Sequence, residues 1–260
     1  MKKLIYLVAV IGFSCIISID SFAGEKDLRP LFEKYGLIVQ NQTPRPTCSV
    51  FAIVGLLEFE IAHTIHQTIP LSVEYLNWAS NMITGKIVDG SMFDDAIDGL
   101  LMHGICSNDY FPYYSSNYTT KVEPSNAAKK DAEKRIAFHY QPIWIKEWDP
   151  KTGMTENQLN IVKEQLEKEH PVAIGFQWPK KERKYNKVVN GMMYVPPREG
   201  VVDGHSVLIV GYHDDLKAPG GGYFIFKNSY GKDYGEQGYG KMPYEYVKKY
   251  ANDGVVIYIK

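Results

Sequence analysis

The spacing of apolar positions changes partway along the chain. From 49 to about 66, Val50, Ile53, Val54, Leu57, Ile61 and Ile65 recur at helical spacing until Pro70 stops the run. A second helix is predicted over 72–80, with Ser72 as its N-cap and Glu74 in its first turn. The turn at Asp89-Gly90 leads into a third, 91–103, closed by Gly104, and a short charged helix follows over 127–134. Beyond this point the period drops to two. Residues 136–145 alternate and are rich in aromatics, 171–176 read as a buried strand, and 206–212, 223–227 and 255–259 read as further strands. One amphipathic helix, 156–169, interrupts them. The pattern predicts a helical half, about 41–135, a strand-rich half, about 136–260, and a ligand cleft between them. The charged loop 180–190 reads as a solvated hairpin tip, and Gly220-Gly221-Gly222 as a turn between strands.

Composition adds limits. The chain has 260 residues, 45% hydrophobic and 23% charged, enough apolar content for a sizeable core. A net charge of −1 gives no reason to expect nucleic acid or an acidic lipid surface as partner. At the N-terminus, Lys2 and Lys3 precede an apolar run over 4–17, and Ser21-Phe22-Ala23 places small residues where a signal peptidase reads. Residues 1–23 are therefore predicted to be a signal peptide, too short for a stable membrane span, with 24–260 exported to the periplasm or beyond. Lipoprotein cleavage before Cys15 is the competing reading, but Gly12 stands where leucine is usual. Removal of the leader leaves Cys48 and Cys106, both expected as free thiols, with Cys106 buried. No cluster of His, Cys, Asp and Glu has metal-ligand spacing, so neither metal nor cofactor is expected, and the chain is expected to be a monomer.

The candidate chemistry centres on Cys48. It sits between the proline-rich loop Gln42-Thr43-Pro44-Arg45-Pro46-Thr47 and the first helix, where the positive helix end favours thiolate over thiol. A cysteine nucleophile needs an imidazole base. His63 and His66 lie more than three turns along that helix, and His103, His139 and His170 read as structural. His205 follows Asp203-Gly204 and opens the apolar strand Ser206-Val207-Leu208-Ile209-Val210, a rigid element from which to project into a cleft. Asn228 follows the strand 223–227, and its amide oxygen can orient an imidazole, although Asn228-Ser229-Tyr230-Gly231 also suits an ordinary turn.

Taken together, Gln42 six residues before Cys48, Gly204-His205-Ser206 running to Val210-Gly211-Tyr212, Phe226-Lys227-Asn228-Ser229-Tyr230-Gly231 and Gly238-Tyr239-Gly240 resemble the papain-type cysteine peptidases. Leu71-Ser72-Val73-Glu74-Tyr75-Leu76 and the segment from Gly104-Ile105 to Phe111-Pro112-Tyr113 resemble that family too, so the likeness covers about 37–260. It implies an α+β papain-like fold with a helical left domain, a barrel-like right domain and the active-site cleft between them. It also implies hydrolysis of peptide or protein substrates through an acyl-enzyme. Cys48 would be the nucleophile, paired as thiolate with His205. Asn228 would orient His205, and Gln42 with the Cys48 N–H would form the oxyanion hole. Tyr230 stands where the family usually has a tryptophan over the His–Asn bond. Asp89, Gly90 and Gly204 are the candidate substrate-binding residues; Asp89-Gly90 replaces a glycine pair, and its carboxylate would either narrow the cleft or favour basic substrate residues.

Arg45 replaces the family's second cysteine and Ser49 its tryptophan, so the usual loop disulfide cannot form; Pro44 and Pro46 are expected to stiffen the loop instead. Only 24–47 separate the predicted cleavage site from Cys48, so no long prosegment is expected: the chain would emerge active, be restrained by a separate protein inhibitor, or have an activity narrow or slow enough to need no restraint. Two alternatives share these features: a narrow amidase or transpeptidase using the same site, and a non-enzymatic binding protein on the same fold.

Overall fold

The computed structural model describes residues 24–114 and 122–260; the predicted leader, 1–23, lies outside the described residues. A short strand, β1 (Glu25–Asp27), and helix α1 (Arg29–Lys34) come first. Helix α2 (Cys48–Thr64) follows, and fourteen of its seventeen residues are buried. A helix apolar on nearly every side belongs inside a core rather than on its surface. Two of the buried residues are carboxylates. Glu60 takes His170 Nδ1 at 3.0 Å, and Glu58 accepts the Leu71 N–H at 2.9 Å. Burial pushes Glu58 up to about 7, and Lys227, buried in the facing strand, pulls it back.

Helices α3 (Val73–Thr84), α4 (Phe93–His103) and α5 (Asn126–Ile136) pack beside it. Ser72 and Ser125 cap α3 and α5, their hydroxyls accepting from Tyr75 and Ala128. α3 and α4 approach closely at Gly99, where a Cβ would stand 2.8 Å from the Ala79 carbonyl carbon. The strand predicted over 136–145 starts later, at 141, because α5 continues through Ile136. Its last turn is anchored by buried Arg135, which donates to Asp131 at 2.7 Å and to the Ile105 carbonyl at 3.2 Å.

The remaining elements are β2 (Gln141–Lys146), α6 (Glu156–Glu167), β3 (Val172–Pro179), β4 (Val188–Val189), β5 (Met192–Met193), β6 (Val201–Asp214), β7 (Gly222–Lys227), β8 (Tyr239–Pro243), α7 (Tyr244–Tyr250) and β9 (Ala251–Tyr258). The main sheet is antiparallel in the order β2-β9-β3-β6-β7-β8, with β1 added on β6. Among the described residues its end strands β2 and β8 do not pair, so the sheet stays open where the resemblance implied a barrel. Helix α7 is absent from the sequence pattern: its tyrosines suit a strand, and burial of Tyr244, Tyr246, Val247 and Tyr250 decides for helix. Among the described residues no helix is long and apolar enough to cross a membrane.

Strand β6 organises the site. Its first half pairs with β3 and its second half with β7, so one long strand links residues from three neighbours. A register shift between Phe176 and Trp178 in β3 lies opposite His205. Such bulges twist a strand and re-aim its side chains.

Because Gly99 sets the α3–α4 spacing that carries the loop 85–92, Gly99→Val should cost about 1–3 kcal/mol by overpacking. A urea melt of the full chain measures it; an unchanged midpoint would refute the close-approach account.

Candidate active site

Cys48 is the first residue of α2. The N-cap, Thr47, gives the helix no side-chain cap; its hydroxyl pairs with the Tyr113 hydroxyl at 2.7 Å instead. The positive end of α2 is thus left to the thiol. Burial pushes the Cys48 thiol up, opposed by backbone N–H groups at Ser206, Ser49 and Cys48 itself.

His205, in β6, is buried, with Nε2 2.8 Å from Asn228 Oδ1. That oxygen also accepts the Ser229 N–H at 2.8 Å, which fixes it as the acceptor end of the amide. Nε2 must then carry the proton, and Nδ1 keeps its lone pair as the base atom. Trp178 packs on the imidazole at 4.4 Å between centroids, and Tyr230 stacks on it at 4.7 Å and 27°. The Tyr230 hydroxyl lies 3.3 Å from Nδ1. The hydroxyl is thus within hydrogen-bonding reach of the base atom, and a thiol engaging Nδ1 has to share or displace that contact. Burial lowers the His205 pKa to about 4 against the opposing bond from Asn228.

Gln42 is buried and held at both ends of its amide. Oε1 accepts from the Ser229 hydroxyl at 2.6 Å, and Nε2 donates to the Arg45 carbonyl at 2.8 Å. One N–H of Nε2 is therefore committed and a second remains. Cys48, His205, Gly204, Asp89 and Gly90 line one pocket of about 280 Å³, with Trp148 and Asp253 also on its wall. Asn228 and Gln42 are not among its lining residues; they are tied to it through His205 and Arg45.

The loop before Cys48 is held by an ionic cluster. Arg45 is fully buried, and its guanidinium nitrogens donate to Asp89, Glu74 and the Tyr114 carbonyl among the described residues. Nε and one terminal nitrogen bond Asp89 at 3.0 and 2.6 Å, the terminal nitrogens bond Glu74 at 2.7 and 3.1 Å, and one reaches the Tyr114 carbonyl at 2.7 Å. Tyr113 lies 4.5 Å from the guanidinium. Burial works against this charge, and the bonds to Asp89 and Glu74 outweigh it, holding the pKa above its ordinary value. Both Asp89 oxygens thus face Arg45, although the residue borders the pocket. Gly90 sits at φ +75, where a Cβ would meet the Pro46 carbonyl oxygen at 2.2 Å, so only glycine lets the two loops touch. Ser49 Oγ accepts the Ser91 N–H at 3.1 Å, a second tie between these segments. Gly204 also has positive φ, at +94, with open space where a Cβ would be.

Sequence reasoning singled out Arg45 only as a missing cysteine, and it missed Glu74 as its partner, Trp178 and Asp253. Glu74 gave one signal, a carboxylate in a first helical turn, which a helix end explains by itself. Cys48 and Cys106 are both free thiols, and Cys106 is buried. Among the described residues no group of His, Cys, Asp and Glu is placed to hold a metal ion.

A thiol at a helix start, an imidazole lining the same pocket and an amide orienting that imidazole make up the layout of a cysteine-nucleophile hydrolase. Residues 27–257 match the papain family cysteine protease description, and the chain belongs to that family. It is 28% identical over 205 residues to a viral cathepsin of Choristoneura fumiferana nuclear polyhedrosis virus, covering 77% of this chain and 54% of the relative. Against procathepsin L of Felis catus the identity is 26%, over 75% of this chain and 53% of the relative. The chain thus spans little more than half the length of these curated relatives. The crystal structure of xylellain, a cysteine protease from Xylella fastidiosa, has the same fold, with a TM-score of 0.73 at 24% identity over 90% of this chain and 85% of that one.

Replacing Arg45 with methionine strands the Glu74 carboxylate in the interior, a change that costs about 3–5 kcal/mol. Arg45→Lys keeps the charge but loses the fork and should recover only part of that stability. Chemical denaturation of the three proteins decides; equal midpoints would show the cluster is not a structural tie.

Proposed function

We propose that this chain is an exported cysteine peptidase that hydrolyses peptide bonds through an acyl-enzyme on Cys48. The observation that carries this reading is that Cys48 and His205 line one pocket while Asn228 Oδ1 holds His205 Nε2 at 2.8 Å. The Sγ proton passes to Nδ1, and the thiolate attacks the substrate carbonyl. The Cys48 N–H and the uncommitted Gln42 Nε2–H hold the oxyanion, each donor worth about 3 kcal/mol in the transition state. Nδ1–H then protonates the leaving amine, and water, activated by the same nitrogen, frees the acid. Export follows from the leader predicted over 1–23. The carboxylate bias read at Asp89 is better carried by Asp253, since Asp89 faces Arg45. Asp253 lines the pocket, accepts the Gly175 N–H at 2.9 Å, and is answered only in part by Lys146, which does not line the pocket. Substrates with a basic side chain near the scissile bond are therefore favoured.

Three outcomes check this reading. A thiol-directed epoxide should alkylate Cys48 at neutral pH and do so far more slowly in His205→Ala; no adduct, or equal adducts, would leave a binding protein as the better reading. A peptide-library digest should show cleavage with a basic preference that falls about tenfold in Asp253→Ala; turnover confined to one small amide would favour the narrow amidase.

The pH profile follows from the two burial shifts. The working state holds one proton between Sγ and Nδ1. A second proton on His205 blocks it, and this proton leaves as pH rises through about 4. Loss of the shared proton is delayed because the Cys48 thiol is pushed up. Turnover per KM should therefore rise near pH 4 and stay level through neutrality, falling only above the ordinary thiol range. An acid limb near the usual histidine value would refute this picture of a desolvated imidazole.

A further inference from the structure

The basic stretch before β4 occupies a position that a solvated tip does not require. Lys180, Lys181, Arg183, Lys184 and Lys187 share it with one carboxylate, Glu182, in a chain of net charge −1. It feeds the β4–β5 hairpin, whose valines Val188 and Val189 are 69% and 44% exposed. Beneath the hairpin lies a groove of about 690 Å³, bounded by Lys187, Val188, Met193, Ile225, Tyr239 and Lys241. Among the described residues neither Lys187 nor Lys241 forms an ion pair; they lie over Tyr194 and Tyr223 at 4.4 and 5.3 Å. A tyrosine face attracts an ammonium without neutralising it. The carboxylate on this wall, Glu236, is already held by Arg29 at 3.1 Å.

Ring contacts run from the groove wall to the site. Tyr234, on its wall, meets Tyr230 edge to face at 5.7 Å, and Tyr230 stacks on His205. Strand addition along the neighbouring edge strand β8 is limited. Tyr239 already exchanges both backbone bonds with Glu236, and Pro243 has no N–H to give. Recognition there falls to side chains: an apolar floor with uncompensated cations beside it.

We propose that this groove docks an extended acidic segment of the protein substrate, with apolar side chains on Val188, Met193 and Ile225 and carboxylates against Lys187 and Lys241. That the segment belongs to a substrate rests on the peptidase reading; that the groove binds such a segment does not. Nucleic acid or a sulfated polysaccharide would answer the cations and leave the apolar floor unused, so a peptide of alternating character is the better complement.

The test uses the full chain carrying Cys48→Ala, so that binding is read without turnover. The probe is a fluorescein-labelled peptide alternating glutamate with leucine, followed by anisotropy. Binding should weaken with salt, fall about tenfold or more in Lys187→Glu/Lys241→Glu, and fall in Val188→Asp. No binding, or binding unchanged in these variants, overturns the docking site. Equal binding of a glutamate–serine peptide or of heparin overturns it in favour of a plain polyanion patch. In the active protein, appending the glutamate–leucine segment to the leaving-group side of a cleavable peptide should lower KM about tenfold with kcat little changed, an effect lost in the double lysine variant. A KM indifferent to the tail overturns the substrate assignment. Cleavage of no peptide at all would instead sink the peptidase reading, and the anisotropy result would still decide the groove.

Discussion

The cleft depends on one buried charge. Arg45 lies wholly inside the protein, and a guanidinium there is tolerable only when its donors are satisfied and its charge is answered. Glu74 and Asp89 do both, and in doing so they draw together three segments far apart in sequence: the loop before the nucleophile, the start of α3 and the turn before α4. Relatives of the resemblance use a disulfide near this point. A covalent link restricts the unfolded chain, whereas an ion cluster stabilises only the folded one and needs every partner in place. The exchange frees the loop from dependence on an oxidising compartment and makes its position depend on packing and solvent exclusion.

A second buried pair lies behind the first. Glu58 in α2 and Lys227 in β7 face one another across the core, each pushed toward its neutral form by burial and pulled back by the other. Lys227 directly precedes Asn228, and Glu58 belongs to the helix that begins with Cys48. The helix that begins with Cys48 and the strand that leads into Asn228 therefore also influence one another electrostatically through the interior. This arrangement suits a site whose parts come from opposite halves of the chain, because displacing either element separates two desolvated charges.

Features governed by local chemistry were the legible ones. Ser72 caps its helix and Gly104 ends another because each is decided by a few neighbouring residues, whereas the strand expected to open at His205 begins at Val201, where pairing with β3 extends it. What stayed hidden depends on distant partners. The bonds of Arg45 reach residues 29 and 44 positions away, and neither spacing leaves a mark on a hydrophobic pattern. Asp253 reads as one polar residue in a strand until β9 pairs with β3 and brings it to Gly175. Helix α7 was hidden by its own tyrosines. Asp89 was legible as a carboxylate at the cleft, but the direction it faces was not.

Cys48 shows how burial alters a local argument. From the sequence, a thiol at a helix start should ionise easily. In the folded chain desolvation opposes this and pushes Cys48 up, while the same effect lowers His205. Each group alone therefore prefers to be neutral. Moving one proton from Sγ to Nδ1 leaves the pocket's net charge unchanged and sets two opposite charges side by side, so their attraction offsets much of the desolvation that either would meet alone. The uncapped end of α2 then favours the thiolate, and Asn228, as acceptor for Nε2–H, favours the imidazolium. Reactivity on this account belongs to the pair. A variant lacking His205 would lose the thiolate itself, not merely the base that helps it, whereas one lacking the Asn228 acceptor would keep the pair and weaken its charged form.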